Sequence, residues 1–171
     1  MNNLGKKIMI AGAGNTVKYF QSPKIIAIDP GASGGIAVFL VNEKRLIEVV
    51  PMPETPTDML NFISKWQVNS ICYLEKVQGL PGMAGSAMFN FGKNYGYLEM
   101  ALLARKIKTV TVTPQVWQKA LQLGTKGGRS GTQWKNHLKA KAQQLFPNQK
   151  ITLKTADALL LLEYARLKEK L

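Results

Sequence analysis

The sequence of 171 residues is long enough for one domain with a substantial hydrophobic core. It contains no run of about 18 apolar residues, so no membrane-spanning helix is expected, and its single cysteine excludes an intramolecular disulfide and most cysteine-based zinc sites. The net charge of +13 favours a polyanionic partner, most commonly nucleic acid, and the lone cysteine fits a reducing, cytoplasmic compartment.

The hydrophobic pattern predicts an N-terminal extension over residues 1–22 and a single domain over residues 23–171. The domain is expected to contain strands at residues 25–29, 35–40, 45–51, 70–75 and 109–112, and helices at residues 58–67, 90–106, 132–146 and 155–169, with a further helix starting at Pro114. Thr57 is the expected cap of the first helix. This order predicts an α/β fold with a mixed five-stranded sheet, in which three antiparallel strands precede parallel ones, flanked by helices.

Three of the ten acidic residues stand in apolar surroundings. Asp29 follows "IIAI", Glu75 follows "ICYL", and Asp157 opens "ADALLLL". An ionised carboxylate is costly to bury unless a cation pairs with it, and one metal site would compensate all three. Oxygen ligands with no second cysteine and a single histidine favour Mg²⁺, with Mn²⁺ as a substitute. The alternative is three separate capping or salt-bridging acids.

The glycine-rich turn after Asp29, "DPGASGG", has two possible uses. A carboxylate at a strand end before such a turn can face the phosphates of a nucleotide, or it can hold a divalent metal for phosphodiester cleavage. Gly31, Gly34 and Gly35 either let the turn approach a DNA backbone closely or simply form a tight hairpin.

The ordered set of motifs resembles the RuvC-type Holliday junction resolvases, especially their phage and prophage branch, within the ribonuclease H-like superfamily. The resemblance covers residues 24–166 and rests on Asp29 in the first strand and on three segments in matching order: "LEKVQGLPGMAGSAMFNFGKNYGYLEMAL", "VTPQVWQKAL" and "LFPNQKITLKTADALLLLEYAR". It implies a ribonuclease H-like fold and a homodimeric, Mg²⁺-dependent endonuclease. Such an enzyme nicks two opposed strands of a four-way DNA junction and leaves 5′-phosphates.

The resemblance implies that Asp29, Glu75 and Asp157 are the catalytic metal ligands, with Asp29 bridging two ions from the centre of the sheet. Bacterial relatives usually carry an acid or a histidine one helical turn before the last Asp, and this sequence has Lys154 there. Either the second metal site is weaker, or Lys154 supplies positive charge in its place, or the protein binds junctions with impaired catalysis. Gln78 stands where relatives often place an aromatic wedge.

The basic half of the chain carries the expected DNA contacts. Residues 101–171 hold 14 Lys or Arg and three Asp or Glu, whereas residues 1–100 hold nine and seven. The expected phosphate contacts are Lys119, Lys126, Arg129, Lys135, Lys139 and Lys154. A well-solvated basic surface is the alternative. Trp117 and Trp134 could stack on bases, although core packing is favoured, and His137 is read as a phosphate contact or a surface residue.

Three other functions remain open at this point. A nuclease of the same fold could act on flaps or forks, and a junction-binding protein could lack catalysis. An actin-like ATPase could share the glycine turn, but that fold needs well over twice this length. Paired nicks would require a C2 homodimer, for which the helix over residues 90–106 is the expected interface through Tyr97, Ala101 and Ala104.

Overall fold

The computed structural model describes residues 21–77 and 84–171. Nearly all of the predicted extension, and Gln78, therefore lie outside the described residues. Within them the strands are β1 Lys24–Asp29, β2 Gly35–Leu40, β3 Arg45–Pro51, β4 Ser70–Glu75 and β5 Lys108–Val112. The helices are α1 Pro56–Lys65, α2 Gly85–Ala104, α3 Pro114–Ala120, α4 Gly131–Leu145 and α5 Ala156–Lys168.

The five strands form one mixed sheet in the order β3-β2-β1-β4-β5. The first three strands pair antiparallel, whereas β4 runs parallel to β1 and β5 runs parallel to β4. The predicted α/β sheet is confirmed, and β1 is its central strand. Ile28 of β1 is in register with Leu74 of β4, so the residues that follow, Asp29 and Glu75, leave the sheet at the same edge.

The side chains of β1 alternate between two hydrophobic cores. Ile25 and Ala27 face a core built with α3, α4 and α5, whereas Ile26 and Ile28 face a core built with α1 and α2. This alternation is the two-residue period of a strand buried on both faces. Helix α5 packs directly on β1 and β2, which explains why its "ALLLL" run is fully buried. The two layers of helices hold the ends of β1 and β4 in place.

The first two helices begin earlier than the sequence predicts. Thr55, not Thr57, caps α1: its hydroxyl accepts a hydrogen bond from the Asp58 backbone N–H at 3.1 Å, and Pro56 takes the first turn, where no N–H is needed. Helix α2 begins at Gly85 rather than at residue 90. The sequence did not predict its first turns because their residues are exposed and show no apolar period. No helix of residues 21–77 and 84–171 has the length and apolar character that crossing a membrane requires.

Candidate active site

Three carboxylates meet at the edge of the sheet where β1 and β4 end. Asp29 and Glu75 are the last residues of these neighbouring parallel strands, and Asp157 lies in the first turn of α5. Asp29 is only 8% exposed. Burial, followed by repulsion from Asp157, raises the pKa of Asp29 to about 6, although Lys135 and the Gly31 backbone N–H oppose that rise. The structure thus brings the three predicted acids into one electrostatic unit.

Two glycines of the turn make room for this site. A Cβ atom on Gly34 would lie 2.2 Å from the backbone oxygen of Asp29 and 2.7 Å from its Cγ. A Cβ atom on Gly35 would lie 2.7 Å from the carbonyl oxygen of Lys154, just before α5. All three distances are far below a van der Waals contact, so the glycines let the turn close against Asp29 and let α5 approach β2. Gly34 and Gly35 thus serve a tight turn, and the approach of this turn to a DNA backbone stays a prediction.

Glu75 is held by a tryptophan from α3. The Trp117 indole Nε1–H donates a hydrogen bond to Glu75 Oε2 at 2.9 Å, and the Trp117 side chain is completely buried. Burial and the nearby Asp29 raise the pKa of Glu75 to about 8, while the Trp117 hydrogen bond opposes the rise. Trp117 is therefore a core residue, as favoured from the sequence, that also fixes one oxygen of Glu75.

Asp157 is paired with a lysine from α4. Lys135 Nζ donates to Asp157 Oδ2 at 3.3 Å, and the other oxygen, Oδ1, is buried without a hydrogen-bond partner among the described residues. Burial raises the pKa of Asp157, and the Lys135 ammonium only partly offsets this. Burial also acts to lower the pKa of Lys135, but the attraction of Asp157 and Asp29 outweighs it and the pKa is raised. Lys135, predicted as a DNA contact, thus lies within the carboxylate cluster.

The donor set suits an oxygen-coordinated divalent cation. The carboxylates repel one another, and Asp157 Oδ1, which has no hydrogen-bond partner among the described residues, has lone pairs free to bind such a cation. Mg²⁺ and Mn²⁺ prefer such oxygen ligands. However, within residues 21–77 and 84–171 no group of three or more Asp, Glu, His or Cys side chains lies close enough together to hold a metal ion. The repulsion between the carboxylates acts over several ångströms, whereas coordination of Mg²⁺ requires a metal–oxygen distance of about 2.0–2.1 Å. The three carboxylates therefore have the charge and the donor atoms that suit the ion, but they do not enclose a binding site for it.

Lys154 does not join this cluster. Its side chain is exposed and lines a cavity together with residues of the β1–β2 turn, and it forms no ion pair with a described carboxylate. The positive charge next to Asp157 therefore comes from Lys135, whereas one of the three interpretations left open by the sequence assigned it to Lys154. A lysine 22 residues away in the chain carries no local signal for this contact, whereas Lys154 stood out because it immediately precedes α5.

The remaining basic residues surround the loop between α3 and α4, defined here as the glycine loop, residues 124–130. Lys119, Lys126 and Arg129 are exposed, and Lys139 is half-buried on α4. Ser130 and Gln133 form a reciprocal capping box that fixes the end of the loop to α4. Since α3 contacts Glu75 through Trp117 and α4 contacts Asp157 through Lys135, the glycine loop connects two helices that both contact the carboxylate cluster.

The half-buried His137 has a structural contact that the sequence did not indicate. Its Nε2 lies 3.0 Å from the Leu123 carbonyl oxygen, and its ring stacks on Trp134 at 5.2 Å between centroids. Arg129 lies over the other ring of this pair, 5.8 Å from the Trp134 centroid. His137 and Trp134 therefore help to hold both ends of the glycine loop against α4.

The sheet order and the helices on both faces define a ribonuclease H-like α/β fold. Among solved structures the chain is similar to "Thermus thermophilus RuvC structure", with a TM-score of 0.56 and 18% identity, covering 85% of this chain and 96% of that one. It is equally similar to "T. thermophilus RuvC in complex with Holliday junction substrate", with a TM-score of 0.56, 16% identity and the same coverage. No protein-family model and no curated protein matches the sequence. The chain has the RuvC fold, while the phage branch stays a prediction.

Removing one charge should stabilise the protein when divalent metal is absent. The raised pKa of Asp29 means that folding favours its protonated form, so stability falls as pH rises from about 4 through about 6. We expect Asp29→Asn to raise the free energy of unfolding at pH 7 by about 1–3 kcal/mol in EDTA, measured by urea denaturation. Glu99→Gln, which removes an exposed acid on α2, should change it by less than about 0.5 kcal/mol. An Asp29→Asn protein less stable than the parent at pH 7 would contradict the repulsion.

Proposed function

We propose that the protein is a metal-dependent endodeoxyribonuclease that resolves four-way DNA junctions by paired nicks, leaving 5′-phosphates. The observation that carries this proposal is the cluster of Asp29, Glu75 and Asp157 at the edge where β1 and β4 end, connected through α3 and α4 to a basic glycine loop. The similar structure determined with a Holliday junction substrate supports the choice of branched DNA.

The proposed chemistry assigns a role to each side chain. Asp29, Glu75 and Asp157 would hold Mg²⁺, which supplies an activated water and stabilises the departing 3′ oxygen. Trp117 keeps Glu75 oriented by occupying its Oε2 with a hydrogen bond. The Lys135 side chain is 37% exposed, so its ammonium can leave Asp157 and contact the scissile phosphate when DNA enters.

A cleavage assay on defined DNA structures tests the proposal. Synthetic four-way junctions, flaps, forks and linear duplexes are incubated with the protein in Mg²⁺, Mn²⁺ or EDTA, and cuts are mapped on both strands. We expect symmetric nicks in junctions that a DNA ligase can seal, because a ligatable nick carries a 5′-phosphate. Preferential cutting of flaps or forks would replace the junction assignment by the alternative nuclease.

A junction-binding protein with impaired catalysis is the competing function. The observation that favours it is the Lys135–Asp157 ion pair, which neutralises one of the three expected ligands. The same assay separates the two functions, since a pure binder would shift junctions in a gel at all metal concentrations and cut none of them.

The glycine loop is the proposed route of the DNA backbone. Lys119 and Lys126 line an open groove of about 760 Å³ between α3 and the loop, together with the amide side chains of Gln115, Gln118 and Gln122. Lysines bind phosphates without reading sequence, whereas glutamine amides can contact base edges. The groove therefore offers both kinds of contact to a DNA arm.

Loss of basic side chains in the loop should weaken junction binding in a salt-dependent way. We expect Lys126→Ala and Arg129→Ala each to flatten the slope of log affinity against log salt by about one unit, because each lost phosphate contact releases one fewer counterion. Mobility-shift titrations between low and physiological salt measure the slope. Lys170→Ala is the control and should leave the slope unchanged, because its neighbours Glu169 and Leu171 lie beside the starts of β1 and β4, at the sheet edge opposite to the carboxylates. Unaltered affinity of both loop variants would remove the glycine loop from the DNA path.

Paired nicking of a junction requires two active sites, so the proposed nuclease is also expected to be a homodimer. The structure changes the interface predicted for it. Ala101 is only 7% exposed and packs into the core of its own chain, so its assignment to the interface is wrong. Tyr97 and Ala104 are exposed, and the large apolar side chains with the highest exposed fraction on α2 are Phe89, at 69%, and Leu103, at 71%. An exposed apolar stripe of this kind on one helix is typical of a protein contact.

A charge on this stripe should separate the two subunits. We expect Leu103→Glu to shift the protein from dimer to monomer in sedimentation velocity at micromolar concentration, because dimerisation would bury an unpaired carboxylate. Leu167→Glu places the same charge on an exposed apolar residue of α5 and should leave the dimer intact. A parent protein that sediments as a strict monomer even with junction bound would argue for the flap-type nuclease.

A further inference from the structure

A small cavity of about 230 Å³ is lined in part by residues that are close in the chain to Asp29 and Asp157. It is enclosed by the β1–β2 turn, the connection between β3 and α1, helix α2 and the turn before α5. Two of its lining residues, Pro30 and Ala32, follow Asp29 in the chain, and Lys154 lies three residues before Asp157. The Met52 backbone N–H donates to the Gly34 carbonyl at 2.9 Å, which ties the cavity wall to the turn that carries Asp29.

The lining combines apolar surfaces with polar side chains, which include an acid, a hydroxyl, an amide and an amine. Pro30, Met52 and Met59 provide apolar surfaces, while Asn94 and Lys154 provide an amide and an ammonium. A nucleobase has this complementary character, because its faces are apolar and its edges carry hydrogen-bond donors and acceptors. The volume lies below the roughly 300–1,000 Å³ of pockets that take drug-sized ligands, so the cavity suits one base and not a longer segment.

Lys154 gives the cavity a charge that points to DNA. Its side chain is exposed and forms no ion pair with a described carboxylate, so its ammonium is available to a phosphate. The lining contains one acidic residue, Glu54, and a carboxylate there can accept a hydrogen bond from the amino group of a base. A nucleotide whose base enters the cavity would then place its backbone between Lys154 and the carboxylate cluster.

We propose that this cavity accepts one unstacked base of the DNA next to the scissile phosphate, with Lys154 contacting the adjoining backbone. The inference rests on the proposed nuclease function and adds a source of structural selectivity to it. Extruding a base from a duplex costs a few kcal/mol, and the cost is least where pairing is already disturbed. Bases at the branch point of a junction therefore enter the cavity more easily than bases of an intact duplex.

The test uses junctions that carry 2-aminopurine, a fluorescent adenine analogue whose emission rises on unstacking, at each position flanking the mapped cleavage site. The full-length protein is added in EDTA, and junction binding is followed by mobility shift in the same samples. We expect emission at one flanking position to rise roughly twofold or more, because no aromatic side chain lines the cavity to quench it. Linear duplexes of the same sequence should show no rise.

A cavity-filling pair of variants assigns the signal to this site. Ala32→Phe should remove the rise, whereas Ser33→Phe, an equal substitution at the neighbouring exposed residue outside the cavity, should keep it. Thermal melts confirm that both variants are folded. Lys154→Ala should reduce the rise without changing the position at which it occurs.

Four results would overturn the inference. Emission that stays at the level of the free junction while the mobility shift shows binding, or a rise that survives in Ala32→Phe, would exclude the cavity as the site of the base and leave the nuclease proposal intact. Displacement of the signal by excess deoxyadenosine monophosphate without release of the junction would assign the cavity to a free nucleotide. Absence of both binding and cleavage would remove the proposed function and this inference with it.

Discussion

Asp29→Asn, Glu75→Gln and Asp157→Asn are each expected to reduce junction cleavage by about 1,000-fold or more, because losing about 4 kcal/mol of charge stabilisation in the transition state corresponds to that factor. Each change removes one negative charge from an expected metal ligand while keeping the size and shape of the side chain. The three carboxylates act as one unit, as their mutual effects on pKa indicate, so no one of them should be dispensable.

Junction binding should survive these three substitutions. Removing a negative charge next to the DNA path reduces repulsion of phosphate, so mobility-shift affinity in EDTA should be equal to or tighter than that of the parent protein. Single-turnover cleavage in Mg²⁺ measures the catalytic loss, and Glu99→Gln serves as the control because Glu99 is exposed on α2. Near-normal cutting by any one of the three variants would remove that residue from the metal site.

Lys135→Gln is expected to lower the cleavage rate by roughly 100-fold, the loss typical of deleting one donor that stabilises charge in a transition state. Lys135 is the cation that contacts Asp157 directly, and without it neither oxygen of that buried carboxylate has a hydrogen-bond partner among the described residues. Glutamine keeps a donor of similar length but no charge, so the substitution isolates the contribution of the ammonium.

Lys139→Gln is the matched control on the same helix, one turn further along. Lys139 has no ion pair with the carboxylates, so its loss should weaken binding at physiological salt and leave the single-turnover rate at saturating protein unchanged. A Lys135→Gln protein that cuts faster than the parent would reverse the assignment. It would show that the Lys135 ammonium competes with the metal for Asp157. The parent protein would then be better described as a junction-binding protein with impaired catalysis.

The bounds of the sheet were predictable because strands carry a local signal. The bounds of β2, β3 and β4 match the sequence prediction. Each strand is rich in apolar residues, and turn-forming residues or an acid mark where it ends. The start of α1 was predicted two residues late because Thr55 and Thr57 are both good caps, and only the folded chain shows which hydroxyl meets the Asp58 N–H.

Residue type and pattern alone identified the acids that are candidate ligands and predicted a polyanionic partner for the basic half of the chain. Asp29, Glu75 and Asp157 were identifiable because an ionised carboxylate within an apolar run is costly unless something compensates it. The surroundings of these acids followed only from the folded chain. The Trp117–Glu75 hydrogen bond and the Lys135–Asp157 ion pair join residues 42 and 22 positions apart, and the burial of Ala101 depends on how α2 rotates against the sheet. Such contacts depend on how helices dock on the two faces of the sheet, and neither residue type nor periodicity encodes that geometry locally.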